Sequence, residues 1–425
     1  MLRSFRSVSL CLLSLASVQA LGSAQTVHTV DDDGGADFVE IQDAVVAAGE
    51  GDVILVRAGR YNKVTVWGKS LTIQAEAGEV VELMSNLGVL VGDPALEVRN
   101  LGPAQEVFVR GVRVSASYWH PPSGGFPGET ILIQDCDGAV WLEGVSTIPL
   151  GFGVFDGIVV SNSAGVTLTR CTVDQNATYV SNVGFHGHGL QSTNSNVALF
   201  ACTLHGGVGS DGRDGGTAAV VDGGTFYASG STLLGGDGGD GGGFFPTVED
   251  GGDGGNGLSV QGGALVRMQD TVMLAGAAGT ALPGGVDGAA GAASQVTSGA
   301  LVPVIGQGRT LVEASPVRAG TDDFVETFTG QPGDLVYRLY ATDGQIAPLY
   351  IAFEKAPLVL DFNLFGDVMG PADPSGMLVN SAPSAPMPAG VDGAVITTQA
   401  SFLAADGTGF YFSAPSVIAL VVGNP

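Results

Sequence analysis

Between residues 95 and 275 the chain alternates apolar and polar positions in short bursts, and the bursts recur. The pattern apolar-x-apolar-x-x-small/apolar-x-apolar fits Val107, Val109, Val112 and Val114. It returns at Val140, Leu142, Val145, Thr147 and at Val166, Leu168, Cys171, Val173. Further copies are Val197, Leu199, Cys202, Leu204; then Phe226, Ala228, Ser231, Leu233; then Val266, Met268, Thr271, Met273. A period of two is strand periodicity, and about 30 residues hold three short strands with their turns. One such coil cannot bury its apolar row alone, so the copies must stack. No helix-length segment separates the strands, which argues against a doubly wound sheet or a barrel with outer helices. The pattern predicts a right-handed parallel β-helix over residues 27–290. An antiparallel sandwich of similar strands is the competing arrangement.

The ends read differently. Asp37-Phe38-Val39-Glu40 has the form of a capping box, and Phe38, Ile41, Val45 and Ala48 follow at helical spacing until Gly49. Strands are expected next at Val53–Val56, Val64–Val66 and Leu71–Ile73, so the short helix should cap the sheet. Residues 276–300, rich in Ala, Gly and Ser, read as a linker or degenerate coil. From Leu301 strands at 335–340, Leu349–Phe353, Leu358–Phe362, Val395–Thr398, Phe410–Phe412 and Val417–Val422 show no coil repeat. The expected fold is therefore all-β: a β-helix with a short N-terminal capping helix, then a small antiparallel β-sandwich over 301–425.

Composition narrows the partners. Glycine is 68 of 425 residues and reads as lacking a G-x-y period, which excludes collagen. Sixteen basic residues against 42 acidic ones leave a formal charge of −26. Such a surface does not replace phosphate counterions, so nucleic acid is excluded as a partner, and an anionic membrane is disfavoured. Residues 1–24 have the form of a secretory signal: Arg3 and Arg6, an apolar run from Val8 to Val18, and small-residue sites ending at Ala20 and Ala24. The run is shorter than a membrane span, and no later stretch is long and apolar enough to cross a bilayer. A secreted or cell-surface monomer is expected. Export leaves Cys136, Cys171 and Cys202, which allow one disulfide and one spare thiol. Cys171 and Cys202 occupy the third inward place of consecutive coils, within disulfide range, and are expected either to pair, leaving Cys136 free, or to stack as free thiols in the core.

The opening stretch resembles the pectin-lyase-like superfamily. The likeness rests on Ile41-Gln42-Asp43-Ala44, Gly51-Asp52-Val53-Ile54-Leu55-Val56, Gly59-Arg60-Tyr61 and Lys69-Ser70-Leu71-Thr72-Ile73. Pectinesterases and periplasmic copper-maturation β-helix proteins open similarly. The resemblance implies a right-handed β-helix and leaves the chemistry open, since the superfamily includes lyases, hydrolases, esterases and adhesins.

Asp156-Gly157-Ile158, Asp174 and Gly187-His188-Gly189 follow the order found in polygalacturonase-type hydrolases, although a lone Asp174 before Gln175 replaces the Asp pair. That resemblance implies Asp156 and Asp174 as acid and base, with His188 nearby. Tyr118 and Trp119 in a long insertion, and Trp141 on an outward strand position, are candidates for stacking on sugar rings. Asp211, Asp214, Asp237, Asp240, Asp250 and Asp253 lie in Gly-Asp insertions. Asp211 and Asp240 fall seven residues after the last inward residue of their coils, which would stack the two carboxylates and suit Ca²⁺. The sequence thus predicts a calcium-assisted extracellular recognition or structural protein with a polysaccharide partner. The alternative is a glycoside hydrolase or polysaccharide lyase.

Overall fold

Stacked apolar columns build the molecule. Val107, Val140, Val166, Val197, Phe226 and Val266 are register partners on successive parallel strands, and all are buried in one continuous core. The computed structural model describes residues 25–85, 93–118, 128–151, 155–175, 187–242, 250–304, 310–313, 317–319, 323–341, 365–384, 392–407 and 409–422. The expected signal segment and the strands expected at Leu349–Phe353 and Leu358–Phe362 lie outside those residues.

Residues 27–304 form the expected right-handed parallel β-helix with three faces. In each coil a lead strand (for example Leu96–Arg99) is followed by a middle strand (Glu106–Arg110) and a trailing strand (Val112–Tyr118). The chain then returns to the lead face at Gly128–Gln134. Lead and middle strands are fused in the later coils, as Leu190–Phe200 and Ala219–Ser229. The turn from middle to trailing strand needs a left-handed residue, supplied by Gly111, Gly144 and Gly230 but also by Arg170, Ala201 and Asp270. The long insertions all connect a trailing strand to the next lead strand, so they leave one corner of the helix.

The helix runs further than the pattern implied. Of the two readings of residues 276–300, the degenerate coil holds and the linker does not: Ser294–Val296 and Gly299–Val304 are the lead and middle strands of a last coil. At the other end the capping helix spans Ile41–Ala47, starting after Glu40. The capping box is not formed. Asp37 instead accepts hydrogen bonds from the Thr29 backbone and hydroxyl, while Glu40 takes the Asn62 N–H. Lys69 Nζ caps the helix C-terminus by donating to Val45 O and Ala48 O, both at 2.9 Å.

The C-terminal module pairs a three-stranded sheet (Thr310–Glu313, Asp323–Thr329, Met377–Pro383) with a five-stranded one (Val317–Ala319, Phe410–Val422, Gly393–Leu403, Leu335–Ala341, Phe365–Pro371). Its pairings are antiparallel except that Val317–Ala319 runs parallel to Phe410–Val422. Phe328, Val336, Phe402 and Tyr411 form its core. A second apolar cluster joins the module to the helix: Phe412 and Ala414 cover Phe108, Trp141, Ala198, Phe200 and Tyr227 on the outer side of the middle face.

Candidate functional site

The described parts of the three Gly-rich insertions stack into one lateral wing. Locally they do carry a three-residue period, as in Gly235-Gly236-Asp237-Gly238-Gly239-Asp240 and Asp250-Gly251-Gly252-Asp253-Gly254-Gly255. Three residues per turn is the repeat of polyproline-II backbone, which puts every third residue on one side. Each insertion leaves the helix on one leg and returns on another, and the legs stack backbone to backbone. Gly207 N donates to Gly187 O, Gly216 N to Gly207 O, Gly236 N to Gly216 O, Gly255 N to Gly236 O, Gly276 N to Gly255 O and Gly291 N to Gly276 O, at 2.7–3.1 Å. A Cβ on Gly236 would lie 2.0 Å from Gly207 O, and one on Gly276 1.9 Å from Gly236 O. Glycine is required there by the closeness of neighbouring main chains, with no unusual φ involved.

The aspartates of the triplets staple one layer to the next. Asp237 Oδ1 accepts the Ala277 N–H at 2.7 Å, Asp240 Oδ1 the Thr280 N–H at 2.8 Å, Asp250 Oδ1 the Val286 N–H at 2.8 Å and Asp253 Oδ1 the Ala289 N–H at 2.7 Å. Asp214 Oδ1 takes the Asp253 N–H at 2.8 Å. The bonds from Thr280 hold the Asp240 carboxyl below its usual range. Asp211 sits in a left-handed turn, and Gly212 N donates to Asp240 O, which keeps the expected offset between the two insertions. Among the described residues these six carboxylates do not converge in threes; Asp31, Asp32 and Asp33 do. Those three are already engaged in part, Asp31 by Arg57 and Asp32 by the Arg60 N–H.

The same stapling device runs along the wing's base. Two residues ahead of equivalent lead-strand positions stand Glu129, Asp156, His188, Thr217, Asn256 and Ala292. Asp156 Oδ1 accepts the His188 N–H at 2.7 Å, His188 Nδ1 accepts the Thr217 N–H at 3.1 Å, and Asn256 Oδ1 accepts the Ala292 N–H at 2.8 Å. His188 therefore carries its proton on Nε2 in this arrangement. Burial pushes the Asp156 carboxyl up, against the opposing pull of His188. Burial also raises Glu129, aided by the neighbouring Asp156 charge.

The expected acid–base set is thus only partly assembled. Asp156 and His188 meet, but through the His188 backbone. Asp174 lies on a trailing strand, and its Oδ1 is 3.3 Å from His205 Nδ1. The glycines of the motif have packing reasons of their own. A Cβ on Gly157 would strike Val173 and Gly189 O, and Gly187 O is the first acceptor of the wing.

Other candidates are moved or corrected. Trp141 does face outward, yet it is only 4 % exposed beneath the C-terminal module and packs edge-on to Phe108, with ring centroids 6.2 Å apart. It is not open to a sugar ring. Tyr118 ends the strand Val112–Tyr118; its side chain and all of Trp119 lie outside the described residues. The Cys171–Cys202 disulfide is not formed. Both are buried thiols, as is Cys136. Cys171 Sγ donates to Leu142 O at 3.3 Å and Cys202 Sγ to Leu168 O at 3.4 Å, so each bonds to the preceding coil. Sequence reasoning missed Glu129, whose partner appears only once the register is known, and missed the triplet period that defines the wing. The triplet period was visible in the sequence, in Gly235–Asp240.

No protein-family model matches the chain, and no curated protein matches it.

Proposed function

We propose that this chain is a secreted or cell-surface β-helix protein of the pectin-lyase-like kind that binds an extended polysaccharide along its loop-bearing corner. The observation that carries the reading is the alignment of every long insertion on one corner. Acceptors and main-chain groups then repeat there at the coil spacing, about 4.8 Å. A linear polymer with repeating hydroxyls matches a linear row of this kind. The engagement of Asp156 Oδ1, His188 Nδ1 and Asp174 by structural partners favours recognition over cleavage. Calcium enters at the wing, where the stapling aspartates accept through Oδ1 among the described residues and a hard cation would take Oδ2 and bridge this acidic surface to an acidic glycan.

A second reading rests on Glu129 and Asp156. Two register-paired carboxyls, both raised by burial, are the raw material of general acid catalysis in a glycan-cleaving enzyme. One experiment separates the two. A polysaccharide panel is tested with and without Ca²⁺ for retardation in affinity electrophoresis and for reducing-sugar or unsaturated-uronate release. Retardation without release is expected. Release abolished by Glu129→Gln or Asp156→Asn would establish the enzyme instead, and neither signal on any glycan would reject the polysaccharide partner.

A further inference from the structure

The two ends of the β-helix are finished in opposite ways. At the N-terminal end, side chains occupy the backbone groups of the outermost strands. Asp32 Oδ2 accepts the Arg60 N–H at 2.9 Å, Glu40 Oε2 the Asn62 N–H at 3.2 Å and Gln42 Oε1 the Thr65 N–H at 2.7 Å. The helix Ile41–Ala47 lies over the core there, with Ile41, Ala44 and Val45 buried. Together these close the edge against strand addition, the usual safeguard for an exposed sheet margin.

The C-terminal end has no such cover among the described residues. Val272–Leu274, Ser294–Val296 and Gly299–Val304 each pair on one side only. Val272 and Leu274 are each 51 % exposed, Val286 73 % and Val296 45 %. Asp287 is the only charged residue in the whole run 272–304, in a chain of net charge −26. The wing changes composition in its last layer too: Gly-Ala-Ala at 276–278 and 288–290 stands over Gly-Asp-Gly at 236–238 and 252–254 of the inner legs. The aspartate has no further layer to staple, and the second glycine no further main chain to admit.

We propose that this end is a homodimer interface, two copies meeting tail to tail about a two-fold axis through residues 272–304. A second copy is the occupant the observations favour. Two chains of charge −26 repel, and they make contact most readily where each is free of charge, as interface cores are. An uncapped end meeting its own copy is self-complementary, which a two-fold contact requires. Meeting the sealed N-terminal end is blocked by the helix and its side chains, so the pair closes and does not extend into a fibre. The run 272–304 is also of the size needed, since a standard interface uses about 20–30 residues a side.

The inference is independent of the polysaccharide reading and is tested by sedimentation velocity on the full chain. At about 100 µM, a concentration that populates any dimer of micromolar affinity, the wild type should sediment as a dimer. Higher salt should tighten the dimer by screening the net repulsion. Val272→Lys/Val286→Lys, both at exposed positions, should sediment as a monomer with unchanged circular dichroism and melting temperature. Val379→Lys, exposed on the C-terminal module, should remain dimeric. A monomeric wild type, a lysine double variant that still dimerises, or open-ended polymers would each overturn the proposal.

Discussion

Ser416 Oγ donates to Glu143 Oε2 at 3.3 Å, joining residues 273 positions apart and fixing the C-terminal module to the middle face of the helix. Arg110 and Arg170 hold the same carboxylate from the helix side. The polar clamp flanks the apolar cover that Phe412 and Ala414 lay over Trp141 and Tyr227. The two units should therefore melt as one.

Phe412→Ala removes the largest contribution of the module to that cover. Truncating a buried phenylalanine costs about 3–5 kcal/mol. The expected result is a lower melting temperature together with a red shift of the buried Trp141 emission. Trp67 is already 59 % exposed and should contribute little to the change. Unchanged emission would mean that the module does not depend on Phe412 for docking.

Glycine in the wing is a steric requirement, so its replacement should be sharply position-dependent. Gly236→Ala places a Cβ against Gly207 O and should open the wing, seen as faster amide exchange at Gly216, Gly236 and Gly255. Gly242→Ala meets nothing closer than Asp240 O at 3.9 Å and should be silent. Equal effects at the two positions would contradict the close backbone stacking.

The staples make a pH prediction. A carboxyl with a lowered folded value contributes stability that is complete above its unfolded value of 3.8 and is lost as pH falls through the lowered one. Exchange protection of Thr280 N–H should therefore hold at neutral pH and fade below about pH 4. Asp240→Asn keeps an oxygen acceptor and should make that protection insensitive to acid, whereas Asp240→Ala should abolish it at every pH.

Cys136, Cys171 and Cys202 should all react with a thiol reagent after unfolding, and none of them before. Burial drives the Cys171 thiol well above its usual value, and all three side chains are at most 1 % exposed. Reaction of Cys136 alone among these three after unfolding would restore the disulfide that the structure lacks.

What could be read in advance follows from which atoms do the packing. The columns through Val107 and Val109 rest on side-chain alternation, and alternation is written directly in the sequence. The capping helix was legible through Ile41 and Val45, although its first residue was misplaced because Asp37 and Glu40 serve neighbouring strands. The wing rests on main chain meeting main chain, which leaves no apolar pattern; its period of three resembled solvated loop. Trp141 had the right facing and the wrong surroundings, since what covers it comes from Phe412, far along the chain. Asp156 and His188 were placed together by their spacing, but that His188 offers its backbone to Asp156 depends on coil register.

A wing built from three-residue units has a particular evolutionary arithmetic. Losing one Gly-Gly-Asp triplet from both an outgoing and a returning leg shortens the projection and leaves every crossing occupied by glycine. Losing a single residue instead moves an aspartate or alanine side chain into a gap where Gly236 approaches Gly207 O too closely for any Cβ. Length variation in this part of the molecule should therefore occur in steps of three and in matched pairs of legs, so that reach is adjustable by indel while the coil core behind it stays untouched.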